Sequence, residues 1–168
     1  IFYSIAMELY EFIIRMLVAT IAGGALGLER ESNNKSAGLR TNTLVAVGAS
    51  IFVMISSRVI LPESGDPSRV LGQIVTGIGF LGAGVIIHRG ANVKGLTTAA
   101  TIWCSAALGS LAGFGFYWEA VAATLLVIFV NTTFKKADRL FKKGWKERGE
   151  KGEKGTHEKE PEEKEPEE

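Results

Sequence analysis

Long uncharged runs dominate the chain up to Phe134. Leu9 to Leu28 is broken only by Glu11 and Arg15, Thr41 to Ser57 carries no charge and continues through Val59, Ile60 and Leu61 to Pro62, and Val70 to Ile87 is a third such run. A soluble core would need helices with polar faces, and these runs offer none. Each approaches the roughly 20 residues that carry a helix across about 30 Å of hydrocarbon. Asp66-Pro67, ahead of the third run, reads as a helix start with Asp at the N-cap and Pro at the first helical position.

The next apolar stretch, Gly95 to Phe134, holds a single charge, Glu119. As one helix it would measure about 60 Å at 1.5 Å per residue, too long to stay in lipid. Gly113-Phe-Gly115-Phe-Tyr-Trp118 supplies the break: the glycines permit a turn, and Tyr117 and Trp118 suit the headgroup level. The pattern therefore predicts an all-α integral membrane fold of five transmembrane helices.

Lys and Arg set the expected orientation. Arg30, Lys35 and Arg40 follow helix 1, Arg89 and Lys94 follow helix 3, and Lys135, Lys136, Arg139, Lys142 and Lys143 follow helix 5. With five helices all three clusters share one side. The N-terminus is expected outside and the C-terminus in the cytoplasm, which makes the chain a multi-pass protein of the cell (plasma or inner) membrane.

Three segments are expected. Residues 7–134 form the transmembrane domain, residues 135–148 a basic amphipathic juxtamembrane helix with Phe141 and Trp145 near helical spacing, and residues 149–168 a disordered acidic tail. Met7, opening the sequence MELYEF, is read as the biological start, or else the chain as a fragment of a longer one. Net charge is +1, yet residues 1–134 carry eight basic and seven acidic side chains while residues 135–168 carry eleven of each. Cys104 is the one cysteine, so an internal disulfide is excluded.

Gly77-Ile-Gly79-Phe-Leu-Gly82 matches a dinucleotide fingerprint in letters, but that fingerprint needs a strand before it and a helix opening after it. Here it lies inside a spanning run. The glycines are expected to let helices approach closely: Gly23 and Gly27 with Ala19 in helix 1, and Gly77, Gly79, Gly82 and Gly84 in helix 3. Thr98, Thr101, Ser105, Gly109 and Ala112 form another narrow stripe in helix 4.

Ionisable and polar groups in the membrane are costly unless they face the bundle or water. Asp66, Arg69, Gln73, Gly77 and Gly84 fall on one side of helix 3, predicted to be an interior polar seam. Glu11 and Arg15 form an i, i+4 pair in the favourable order. The expected topology gathers Glu8, Glu11, Glu63, Asp66 and Glu119 in a mildly acidic vestibule, where Mg²⁺, which uses one or two carboxylates and keeps its waters, could be met. No bound cofactor is expected. His88 and His157 are too far apart to pair, no nucleophile, base and orienter arrangement appears, and no nucleic-acid partner is expected.

The segments Gly27-Leu-Glu-Arg-Glu31, Ala37-Gly-Leu-Arg40-Thr-Asn42, Asp66-xx-Arg69-xxx-Gln73 with Gly77-Ile-Gly-Phe-Leu-Gly-Ala-Gly84, Gly95-Leu-Thr-Thr-Ala-Ala100 and Trp103 closely resemble the MgtC/SapB membrane family. The likeness covers nearly all of residues 7–131. It implies five membrane helices with the C-terminus inside and a role in growth and survival at low magnesium, including survival inside host macrophages. It also implies regulation, for instance by restraining the F-type ATP synthase, in place of magnesium carriage. Many members carry a folded cytoplasmic domain after the last helix, whereas the tail here is short and polar. A regulator of magnesium or ion homeostasis and, alternatively, a transporter or channel for Mg²⁺ or another small solute are the two readings. Arg40, from the second motif, joins Glu11, Arg15, Asp66, Arg69 and Gln73 as a candidate functional residue.

Overall fold

The computed structural model describes residues 2–59, 66, 68–89 and 92–135. Helix α1 spans Phe2–Ser32, α2 Leu39–Val59, α3 Ser68–Val85 and α4 Leu96–Phe114, and α5 spans Tyr117–Lys135. All five are long and apolar enough to cross a membrane. The expected juxtamembrane helix and acidic tail, residues 136–168, lie outside the described residues, and α1 is helical through Met7 from Phe2.

The break in the fourth apolar stretch falls where the glycines allow it. Gly115 takes φ 84°, closing α4 with its amide on the Ala112 carbonyl at 3.0 Å. A left-handed C-cap is a glycine conformation, so the 40-residue run becomes two helices. One element was not expected: β1 (Ile87–Arg89) and β2 (Asn92–Lys94) pair antiparallel, with His88 opposite Val93, between α3 and α4.

Packing centres on α1, α2 and α4. Ser105 bonds Asn42, an added Cβ at Gly109 would strike the Ala46 backbone, and one at Gly113 would lie 2.9 Å from the Ser50 carbonyl. These steps of four on both helices mean that α2 and α4 run parallel, ridge against ridge. Helix α1 is antiparallel to both. Gly23 meets Ala46 and Asn42, Gly27 meets Leu39, and an added Cβ would come within 2.7 Å of its neighbour at either glycine. Ala46 is thus enclosed between Gly23 and Gly109 and is 0 % exposed. In lipid no hydrophobic force joins helices, so this backbone proximity supplies the cohesion through dispersion. Ala123, Val127 and Ile128 of α5 cover Ala22, Leu26 and Leu108.

Helix α3 is peripheral. Its inward residues Ile74, Ile78 and Gly82 approach the bundle, but only Gly82 is fully buried. Gly82 lies against Ala99, and Gly95, at φ 97°, packs tightly on the Val85 carbonyl. The two helices therefore converge at the hairpin end and splay apart toward Asp66. Between them opens an apolar groove of about 840 Å³; a second, of about 560 Å³, separates α3 from α2.

Candidate functional site

Most buried polar side chains are carried by the three packed helices, with Thr124 added by α5. At the hairpin end, Arg30 is 3 % exposed in the last turn of α1. Its Nη2 donates to Thr98 Oγ1 at 2.6 Å and to the Ser36 carbonyl at 3.3 Å, and Ser36 Oγ lies 3.2 Å from the same threonine hydroxyl. Arg30 Nε has no hydrogen-bond partner. A cation so placed is favoured by the C-terminal end of the helix dipole. The adjacent Glu29 carboxylate offsets part of the cost of holding this cation out of water.

Further along the bundle, Asn42 Oδ1 accepts from Ser105 Oγ at 2.7 Å, and its amide nitrogen donates to the Ala37 and Gly38 carbonyls. Ala37 has φ 57°, a left-handed backbone unusual for a residue with a Cβ. Asn42 thus pins the strained α1–α2 loop to the core. Glu31 assists from outside by accepting the Leu39 amide at 2.9 Å, so a carboxylate caps the start of α2.

At the opposite end of the bundle, Arg15 pairs with Glu11 and donates Nη1 to the Gly113 carbonyl at 2.8 Å. Glu8, Glu11, Arg15 and Ser57 line a small cleft there of about 250 Å³. The i, i+4 pair expected on α1 is present, and it also ties α1 to the C-terminal end of α4.

The remaining expected residues do not join this core. Asp66 accepts the Ser68 amide on Oδ1 at 2.9 Å and the Ser68 hydroxyl on Oδ2 at 2.7 Å, capping α3. Those hydroxyl and amide bonds hold its carboxyl below the usual carboxylate range. Arg40, Arg69 and Gln73 are exposed. The stripe predicted as an interior seam does not join the packed core: Arg69, Gln73, Gly77 and Gly84 are exposed, and Gln73 and Gly77 line the α2–α3 groove. Gly77, Gly79 and Gly84 have nothing within 4 Å of an added Cβ, so among the described residues only Gly82 of that set meets a neighbour. Glu119 is exposed. Among the described residues no three His, Cys, Asp or Glu side chains converge as metal ligands.

Three comparisons place these features among known proteins. A model of the MgtC family matches residues 16–140. The chain is 56% identical over 119 residues to Protein MgtC of Brucella abortus, covering 70% of this chain and 48% of that protein. It is 47% identical over 131 residues to Protein MgtC of Salmonella typhimurium, covering 78% and 55%. An uncharacterized protein of Synechocystis is 49% identical over 129 residues, covering 77% and 54%. The chain thus spans about half the length of these relatives. No solved structure matches. A family match over most of the chain, on a bundle with five membrane-capable helices, makes it a member of the MgtC family of membrane proteins.

Proposed function

We propose that this chain is a regulator in magnesium or ion homeostasis, acting in the cell membrane by contact with another membrane protein. One observation carries the reading: α1, α2 and α4 are closed on one another at backbone distance, at Gly23, Gly27, Gly109 and Gly113. A conduit through that three-helix core would require those backbones to separate. Helix α3, by contrast, leaves most of its surface available for a partner. The F-type ATP synthase is the partner that the family likeness suggests, and catalysis has no part in the proposal.

A second reading, transport of Mg²⁺ or another small solute, draws support from the buried hydroxyls along α4. Thr98, Thr101 and Ser105 form a continuous polar line, and Ser50 on α2 has an unpartnered hydroxyl. Purified protein in liposomes separates the two. Mg²⁺ flux or a potential change dependent on the protein overturns regulation by contact. Silent liposomes, together with co-purification of ATP synthase subunits from cells grown at low magnesium, support it.

A further inference from the structure

The groove between α3 and α4 is a wedge with one closed end. Its apex is sealed where Gly82 meets Ala99 and where Gly95 packs on the Val85 carbonyl. Its mouth is at Asp66, and Leu71, Ile78, Trp103, Ala107 and Leu111 are among its walls. From Ser68 to Ile78 the wall extends about 15 Å along α3. That is half of the roughly 30 Å hydrocarbon thickness, the depth of one leaflet. A transmembrane helix of a partner would have to continue through the other half, where α3 and α4 are already in contact. An acyl chain ends where the leaflet ends.

The mouth carries its own chemistry. Each Asp66 carboxylate oxygen accepts one bond from Ser68, and a carboxylate offers about four acceptor positions, so roughly two remain. The carboxylate is exposed; among the described residues no Lys or Arg lies within ion-pair distance of it, and Arg69 acts on it as a nearby charge. Arg69 is exposed in the same turn. An anion above an apolar wedge suits an ammonium group with N–H donors above a hydrocarbon chain, with the arginine near enough to attract the intervening phosphate.

We propose that the α3–α4 groove binds a phosphatidylethanolamine molecule from the leaflet on the Asp66 side, its ammonium on Asp66 and one acyl chain in the wedge. Trp103, at the deep end of the groove, is the reporter. The full chain, with Trp118→Phe and Trp145→Phe so that Trp103 is its one tryptophan, is reconstituted into phosphatidylcholine vesicles. Acyl-brominated phosphatidylethanolamine, phosphatidylcholine or phosphatidylglycerol is then titrated in. Brominated phosphatidylethanolamine should quench Trp103 with a relative association about fivefold above phosphatidylcholine, the gain of one charge-assisted hydrogen bond at a wet boundary. Asp66→Asn, which keeps an N-cap and so the fold, should bring the ratio to about one. A chain with Trp118 as its one tryptophan should show no preference.

Equal quenching by all three lipids would mean ordinary bilayer solvation and overturn the site. So would a preference for phosphatidylglycerol, or a phosphatidylethanolamine preference that survives Asp66→Asn. Failure of every brominated lipid to reach Trp103 would mean that a protein segment fills the groove, and would overturn it as well.

Discussion

Ser105 of α4 donates its hydroxyl to Asn42 of α2 at 2.7 Å, across 63 residues of sequence, and both side chains are 0 % exposed. The bond sets the register of two parallel helices, since Gly109 and Gly113 then fall on Ala46 and Ser50. Ser105→Ala should cost about 1 kcal/mol, in keeping with hydrogen bonds between membrane helices. Asn42→Ala should cost more, about 2–3 kcal/mol, because the Ala37 carbonyl loses its side-chain donor as well and the Gly38 carbonyl keeps only the backbone N–H of residue 42. Reversible unfolding in detergent measures both. Equal losses would show that Asn42 does not hold the loop.

The glycines divide into two classes that one substitution tells apart. Gly109→Ala places a Cβ into the Ala46 backbone and should force α2 and α4 apart, with a loss of folded protein in the membrane. Gly77→Ala and Gly79→Ala meet open space and gain helix propensity of up to about 1 kcal/mol. If the Gly77 variant fails to accumulate while Gly109→Ala does not, the packing described for these helices is wrong.

Arg69 and Gln73 are exposed, so neither holds the bundle together. Arg69→Ala and Gln73→Leu should each change stability by less than about 0.5 kcal/mol. Growth support at low magnesium in these variants then reports function without interference from folding. A marked fall in abundance for either would restore the role of staple.

The Asp66 carboxyl should titrate below the ordinary aspartate range in a carbon-13 NMR experiment, and Ser68→Ala should move its midpoint upward. Because the folded-state value is depressed, the cap stabilises α3 above the unfolded-state value, and that contribution is lost as pH falls through the folded one. A midpoint unchanged by Ser68→Ala would remove the hydroxyl as the cause.

Cysteines introduced beside Lys35 and Lys94 should react with an impermeant reagent only from the cytoplasmic side, and one at Glu63 only from outside. The opposite pattern inverts the orientation inferred from the basic loops.

The spans and the turn at Gly115 were legible because hydropathy and glycine placement act locally. The Glu11–Arg15 pair was legible for the same reason, as helical spacing alone brings the two together. Periodicity put Asp66, Arg69 and Gln73 on one side of α3, whereas Asp66 lines the α3–α4 groove and Gln73 the α2–α3 groove, and it could not say which way the helix faced. Inside lipid both the buried and the exposed faces of a helix are apolar, so hydropathy does not fix its rotation. Arg30 was read as a loop charge, although the stripe of Thr98, Thr101 and Ser105 signalled a buried polar neighbourhood in want of donors. The role of Asn42 depends on a contact between distant helices, which no window on the chain contains. The β1–β2 hairpin is three residues to a strand, too short for alternation to register.

The dependence of α1 and α2 on α4 has a bearing on biosynthesis. During synthesis α1 and α2 emerge into the bilayer before α4, with Thr98, Ser105 and Gly109, can join them. In that interval Arg30 lacks its threonine hydroxyl, Asn42 lacks its serine, and Ala46 is covered on one side only. Helix α3 can wait, because its one fully buried residue is Gly82 and it buries no polar side chain that α4 must satisfy. A nascent chain stalled before α4 would thus present an unsatisfied arginine and asparagine to the membrane, the kind of exposed polar group that membrane quality-control proteases and insertases are placed to meet. Arrival of α4 removes both at once, so completion of the bundle and escape from surveillance would coincide.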